Sequence, residues 1–107
     1  MHKIFEEQRN FQKEVGTPMD DPEQQNFLSE VFLFKAIEEI IELRKEFPSG
    51  LNKRSKTMKT ADESRLYEEL ADVVLFLINF MLVRGMTVEK LLMTIEDVQN
   101  NNFNKLR

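Results

Sequence analysis

Acidic side chains occur twice in this chain as pairs that are three residues apart. Glu39 and Glu42 form one pair, and Glu69 and Asp72 form the other. In an α-helix, residues three apart lie on the same face, so each pair can direct two carboxylates toward one point. Two facing helices with such pairs could surround one cation. Sites built only from oxygen ligands suit a hard divalent ion, Mg²⁺ or Mn²⁺, rather than zinc.

The second acidic pair stands in a very apolar part of the chain. Of the fourteen residues from Leu70 to Val83, twelve are apolar, and only Asp72 and Asn79 are polar. A helix that is hydrophobic on all sides is buried on all sides, so we expect Glu69 and Asp72 to face the interior or a cleft. A buried carboxylate is costly unless it is paired, so these acids need a basic side chain or a cation.

Simpler interpretations of the acids stay open at this point. Glu38, Glu39 and Glu42 fall within an arc of roughly 100° on their helix. Such a charged arc is usually the solvated face of an amphipathic helix. Arg65 stands four residues before Glu69 and could form a structural ion pair with it.

Two segments carry basic and amide side chains that could bind phosphate. They are LNKRSKTMK, with Lys53, Arg54, Lys56 and Lys59, and the C-terminal NNNFNKLR, with Asn104, Lys105 and Arg107. Mg²⁺ commonly binds a substrate through its phosphates, and these side chains could supply the positive charge that such a substrate needs. Alternatively, the first segment is a solvated loop and the second a polar tail.

Aromatic and amide residues could form a site for a base. Phe11, Phe27 and Phe76 are candidates to flank one, although core packing also explains them. Gln8 could contact a base or occupy an exposed helix position. Asn79 is either a buried polar group at an interface or a contact in a pocket.

Turn and capping residues divide the first half of the chain into two predicted helices. The first covers Met1 to Val15 and is ended by GTPMDDPEQ. Asp21 resembles an N-cap, and Pro22 then occupies the first helical position of the second helix. That helix is expected to run to Phe47, before Pro48.

Similar features predict two helices in the second half. Thr60 and Glu63 resemble a capping box at the start of the third helix. We expect this helix to end at Arg84 and Gly85, because glycine adopts the left-handed conformation of a helix terminus. Thr87 caps a fourth helix that reaches the C-terminus. The chain therefore reads as one all-α domain, residues 1–107, arranged as a four-helix antiparallel bundle.

Composition and charge restrict the classes of function. The 107 residues contain no cysteine, which excludes disulfides and thiolate metal sites. His2 is the single histidine and stands at the start of the chain, which argues against a histidine-based active site. The net charge of −4 argues against a general electrostatic affinity for nucleic acid.

The distribution of apolar residues bears on membranes and on self-association. The apolar stretch is shorter than the roughly 20 residues that cross a bilayer, and the polar N-terminus has no secretory pattern. We therefore expect a cytoplasmic protein without a membrane partner. The second and third helices are apolar on nearly every side, which predicts a homodimer or tetramer formed through them.

The acidic motifs resemble those of the MazG-like all-α nucleoside triphosphate pyrophosphohydrolases, whose pattern is EExxE followed by ExxD. Here EEIIE, residues 38–42, precedes ELAD, residues 69–72, by 26 residues. The sequence NKLR near the C-terminus is similar to the Asn-x-x-Arg element of that family. The resemblance extends from about Gln24 to the end of the chain. Asn100 departs from it, because many relatives carry lysine there.

The resemblance implies an all-α fold completed by oligomerisation. It also implies Mg²⁺-dependent hydrolysis of a nucleoside or deoxynucleoside triphosphate to the monophosphate and pyrophosphate, as nucleotide-pool housekeeping. By position, Glu39, Glu42, Glu69 and Asp72 would bind Mg²⁺ or Mn²⁺, and Glu38 and Glu39 would be catalytic. Asn104 and Arg107 would contact the phosphates or the sugar of the substrate. Lys105 and the basic residues Lys53, Arg54, Lys56 and Lys59 could also bind the substrate, and no motif fixes which of them does.

Two alternatives remain open. The chain could be a non-catalytic helical module for dimerisation or regulation, with its acids solvated or ion-paired. It could also have the same fold and act on phosphoribosyl-ATP, whose hydrolase has a similar helical architecture.

Overall fold

A computed structural model describes residues 1–47 and 63–106 of the chain. This part of the chain contains four α-helices and no strand, so the predicted all-α fold is confirmed. The helices are α1 (His2–Glu14), α2 (Gln25–Lys45), α3 (Glu63–Val83) and α4 (Val88–Lys105). Thr60, the predicted cap of the third helix, lies outside the described residues.

Glycines end α1 and α3 by the same local geometry. Gly16 has a φ of 80° and Gly85 a φ of 71°, values that residues with a Cβ rarely adopt. Beyond Gly85, the Met86 amide donates to the carbonyl of Met81 (2.9 Å), while the Gly85 amide donates to that of Leu82. This is a Schellman motif, and it satisfies carbonyls that the helix end would otherwise leave unpaired.

The start of α2 differs from the prediction. Asp21 and Pro22 belong to a turn, and the helix begins at Gln25, three residues after the predicted position. The Asp21 carboxylate accepts from the Glu23 amide (3.0 Å), and its carbonyl accepts from the Gln24 amide (3.0 Å). The capping side chain thus closes a separate turn before the helix, as Asx residues commonly do.

Helices α2 and α3 form an antiparallel pair. Asn26, at the start of α2, accepts from Arg84 at the end of α3, while Glu46, just beyond α2, accepts from Arg65 near the start of α3. The core lies mainly between these helices and α1. Its buried residues are Phe5, Met19, Leu28, Phe32, Ile78, Leu82, Val83 and Val88.

Helix α1 packs against α3 with both apolar and polar side chains. Phe5 is buried in the core, and Gln8 donates from Nε2 to Oδ1 of Asn79 (3.0 Å). Nε2 of His2 lies 2.6 Å from Oε1 of Glu89, at the start of α4, and forms a hydrogen bond with it. This hydrogen bond lowers the pKa of the Glu89 carboxyl below its usual value.

Helix α4 leaves the packed part of the chain. Thr87 caps it as predicted, by accepting from the Lys90 amide (3.1 Å), and the chain bends by 109° between α3 and α4. Only the first turn of α4 reaches the core, through buried Val88 and partly buried Leu91. Its other large apolar side chains are exposed, as is Leu106 just beyond its end: Leu92, Met93, Ile95, Val98 and Phe103.

Among the helices of the described residues, none is both long and apolar enough to cross a membrane by itself. Helices α3 and α4 meet that requirement only when taken together, across their 109° bend.

Candidate metal and substrate site

Helices α2 and α3 bring three of the predicted acids together. One carboxylate oxygen each from Glu39, Glu69 and Asp72 lies within 4.8 Å of the other two. The antiparallel register produces this arrangement, since the polar contacts at both ends of the helix pair place Glu39 opposite the turn from Glu69 to Asp72. We call these three residues the acidic cluster.

The electrostatics of Glu39 reflect its position in the cluster. Partial burial raises the pKa of Glu39 above its ordinary value, and the nearby carboxylates of Asp72 and Glu69 raise it further. Both effects disfavour the charged form of the acid. A cation at this point would reverse the effect of the neighbouring charges, because it favours every ionised carboxylate around it.

The spacing of the carboxylate oxygens can be compared with the ligand spacing around a small divalent ion. Mg²⁺ holds oxygen ligands at about 2.0–2.1 Å, so oxygens on opposite sides of the ion are about 4 Å apart. The oxygens of the acidic cluster are within 4.8 Å of one another, slightly more than this spacing. The cluster contains only carboxylates, which matches the preference of Mg²⁺ and Mn²⁺.

Glu42, the fourth predicted ligand, lies beside the cluster. Its carboxylate pairs with Lys45 at 3.2 Å on the same helix, and its side chain is 52% exposed. The charge of Glu42 nevertheless contributes to the raised pKa of Glu39, after those of Asp72 and Glu69. Glu42 is thus close enough to act on the cluster electrostatically while its oxygen is engaged elsewhere.

Glu38 lies on a different side of α2 from the cluster. It pairs with Lys35 (3.5 Å) and lines a groove with Phe27 and Phe34. Consecutive helix residues differ in direction by about 100°, which is why Glu39 faces α3 and Glu38 does not. The structure therefore separates the two residues for which the resemblance implies a catalytic role.

Arg65 forms a hydrogen bond to Glu46 across the helix pair. That bond and the charge of Glu46 raise the pKa of the Arg65 guanidinium, and the charge of Glu69 makes a smaller contribution. Arg65, the arginine considered as a local partner of Glu69, is thus hydrogen-bonded to the carboxylate of Glu46, just beyond the end of α2.

The predicted phosphate-binding residues are not gathered at the cluster within the described part of the chain. Asn104 and Lys105 are exposed on the last turn of α4. At about 1.5 Å of rise per residue, Asn104 lies roughly 24 Å along α4 from Val88, the residue of α4 that is buried in the core. The remaining candidates, Lys53, Arg54, Lys56, Lys59 and Arg107, lie outside the described residues.

A cleft between α1 and α3 opens beside Asp72. It has a volume of about 320 Å³ and is lined by Gln8, Phe11, Gln12, Asp72, Leu75, Phe76 and Asn79. Asp72 and Asn79 share this cleft because they are seven residues apart and lie on the same side of α3. Phe11 and Phe76, two of the proposed base-flanking aromatics, meet here, whereas Phe27 lines the separate groove beside Glu38.

Gln12 is a cleft residue that the sequence interpretation did not identify. It is buried, and its Oε1 accepts from the Thr17 hydroxyl (2.7 Å) beyond the end of α1. Its spacing from Gln8 was the available signal, since residues four apart share one face of a helix.

Comparisons of the chain with known protein families, with curated proteins and with solved structures found no match.

Proposed function

We propose that this protein hydrolyses a nucleoside or deoxynucleoside triphosphate to the monophosphate and pyrophosphate, with Mg²⁺ as cofactor. The observation that carries the proposal is the convergence of Glu39, Glu69 and Asp72, from two helices, within 4.8 Å. The order and spacing of EEIIE and ELAD, which resemble the MazG-like enzymes, supply the reaction type.

The acidic cluster would hold the ion, and Glu42 would join it by exchanging Lys45 for the metal. Bound Mg²⁺ would neutralise phosphate charge and make a coordinated water more acidic. The chain has neither a cysteine nor a second histidine, so hydrolysis by an activated water suits its composition. We assign Glu38 no role at this water, because its side chain lies on a different side of α2 from the cluster.

Positive charge for the leaving pyrophosphate would come from the basic segment between α2 and α3. Lys53, Arg54, Lys56 and Lys59 precede the helix that carries Glu69 and Asp72, so the chain connects them directly to the end of α3 that bears these acids. Asn104, Lys105 and Arg107 would serve the site of a neighbouring copy, since Asn104 and Lys105 are exposed at the end of α4 that is remote from the core.

We also propose that the protein is a homodimer or tetramer that acts in the cytoplasm. The exposed apolar face of α2 supports self-association, because phenylalanine and isoleucine side chains recur there along one side of the helix. They are Phe27, Phe34, Ile37 and Ile41.

Pyrophosphate release tests the proposed activity. Purified protein would be incubated with Mg²⁺ and a panel of nucleoside and deoxynucleoside triphosphates. We expect the wild type to release pyrophosphate. The rate of release should be at least a hundredfold lower in Glu69→Gln and in Asp72→Asn, which is on the order of the effect of removing one electrostatic group from an active site. Glu68→Gln is the matched control, because it neutralises the adjacent exposed acid on the same helix and should retain activity.

The same panel distinguishes the alternatives. A non-catalytic module would release no pyrophosphate and would bind no Mg²⁺ by calorimetry. A phosphoribosyl-ATP hydrolase would cleave that substrate in preference to every nucleotide of the panel. Equal activity in wild type and Asp72→Asn would show that the cluster is not the catalytic centre.

A further inference from the structure

In the cleft between α1 and α3, two buried side chains carry polar groups that make no hydrogen bond to the described part of the chain. Asn79 is 2% exposed and Gln12 is 7% exposed. The oxygen of each amide is engaged, since Asn79 Oδ1 accepts from Gln8 and Gln12 Oε1 accepts from Thr17. In this arrangement the amide nitrogens of Asn79 and Gln12 are the groups that make no hydrogen bond among the described residues.

The two amide nitrogens must then face accessible space. Within the described residues, neither Asn79 Nδ2 nor Gln12 Nε2 donates a hydrogen bond to the protein. No fully buried side-chain nitrogen or oxygen in this part of the chain lacks a partner, so neither nitrogen is sealed in the core. Both residues line the cleft, so the cleft is the space that these nitrogens can face.

Aromatic rings stand in the same cleft as these donors. Phe11 comes from α1 and Phe76 from α3, so a flat ligand between the helices could stack on one or both. A volume of about 320 Å³ falls in the usual range for a small-molecule pocket. Asp72 belongs to both the cleft and the acidic cluster, so one nucleotide could place its base in the cleft and its phosphates at the metal.

We propose that this cleft binds the nucleobase of the substrate and selects bases that present a carbonyl oxygen to the two amide N–H groups. Uracil, thymine, guanine and hypoxanthine belong to this class, whereas cytosine and adenine present an amino group at the corresponding edge. The inference rests on the proposed function and adds the class of base, which neither the acidic motifs nor their spacing determines.

Calorimetric binding of nucleoside monophosphates tests the cleft without requiring catalysis. The probes are dUMP, dTMP and dIMP on one side and dCMP and dAMP on the other, each with the full chain and Mg²⁺. We expect the carbonyl-bearing bases to bind about tenfold more tightly, the discrimination expected of a good pair of polar contacts. Equal affinity for the two groups would overturn the proposal.

Two variants assign the effect to the cleft. Asn79→Asp replaces the amide donor by an acceptor, so the preference should shift toward dCMP and dAMP. Phe11→Ala should weaken all five ligands by about 5- to 100-fold through lost stacking. Phe11 is already 54% exposed, so its removal spares the core.

Val15→Ala is the control, since Val15 is 58% exposed at the end of α1 and does not line the cleft. Equal losses in Phe11→Ala and Val15→Ala would contradict the assignment. If the monophosphates bind as expected but no triphosphate releases pyrophosphate, the proposed activity fails and the base cleft stands. If every triphosphate is cleaved equally by wild type and Phe11→Ala, the cleft assignment fails and the activity stands.

Discussion

Glu39 is the residue of the acidic cluster whose carboxyl has a raised pKa. It faces Glu69 and Asp72 across the helix pair, and burial together with these charges raises the pKa of its carboxyl. Each cluster acid therefore works against the others when no cation is present. We expect a divalent ion to be attracted by the same carboxylates and to relieve their repulsion. The acids that would favour metal binding therefore disfavour the folded state of the metal-free protein.

We expect Glu39→Gln to stabilise the metal-free protein at neutral pH. The carboxyl binds its proton more tightly in the folded state than in the unfolded state, whose pKa is near 4.5. The folded state then binds more protons in the range above 4.5, so ionising Glu39 costs stability as pH rises through its folded pKa. Urea unfolding in EDTA should show a higher midpoint for the variant at pH 7.

The advantage of Glu39→Gln should disappear below pH 4, where the wild-type carboxyl is protonated in both states. Glu68→Gln, which neutralises an acid outside the cluster, should show no comparable dependence on pH. A variant less stable than wild type at pH 7 in EDTA would show that the cluster is not repulsive.

Magnesium should stabilise the wild type and not the cluster variants. A ligand at a hundred times its dissociation constant adds about 2.7 kcal/mol to the free energy of unfolding when it binds only the folded state. Thermal melts with and without Mg²⁺ should therefore separate for the wild type and coincide for Asp72→Asn. Separation in both proteins would place the ion elsewhere.

At the scale of elements, the ends of the helices depend on single residues with local partners. Thr87 provides the side-chain cap of α4, and Gly85 takes the left-handed conformation that ends α3 just before it. Together they determine where the chain turns by 109° and therefore where the apolar face of α4 is presented.

Removing the cap should weaken α4. Thr87→Ala loses the hydrogen bond from the Lys90 amide, at an expected cost of about 1 kcal/mol. Circular dichroism during urea unfolding measures this loss. Thr94→Ala is the control, because its hydroxyl bonds to the Lys90 carbonyl within the same helix and caps nothing, so it should change stability much less.

Gly85→Ala should cost about 1–2 kcal/mol of unfolding free energy, because a Cβ disfavours the left-handed conformation. A Cβ at this position would meet no atom within 4 Å, so the cost is conformational and not steric. Gly85→Asn should therefore recover part of the stability, since asparagine tolerates this conformation. Equal losses in the two variants would point to a packing defect instead.

At the scale of the whole molecule, one chain leaves a large part of its apolar surface uncovered. Phe34 is 62% exposed on α2, and most of the apolar side of α4 is exposed as well. Large exposed apolar patches on proteins mark interaction sites, so this surface supports the proposed self-association.

We expect Phe34→Lys to shift the protein toward the monomer. A charge at the centre of an apolar interface is costly to bury, whereas the same residue on a free surface is harmless. Light scattering coupled to size exclusion gives the mass. Val15→Lys is the control, since Val15 is similarly exposed at the end of α1. A wild-type monomer at high concentration would contradict the predicted assembly.

Much of the fold followed from local patterns. Gly85 and Thr87 could be identified as helix boundaries because their partners lie within five residues along the chain, so no distant contact has to be known. The start of α2 was predicted three residues early, because Asp21 and Pro22 serve a separate turn as readily as a helix.

The sequence alone determined the element class and the pairing of acids along each helix, because both depend on the helical repeat. The tertiary structure decided which acids meet. Register between α2 and α3 selects Glu39 over Glu38, a difference of one residue that turns the side chain by about 100°. The tertiary structure also places Gln12 and Asn79 in the same cleft. Contacts between segments that are distant in the sequence arise from packing, so no periodic pattern in the sequence predicts them.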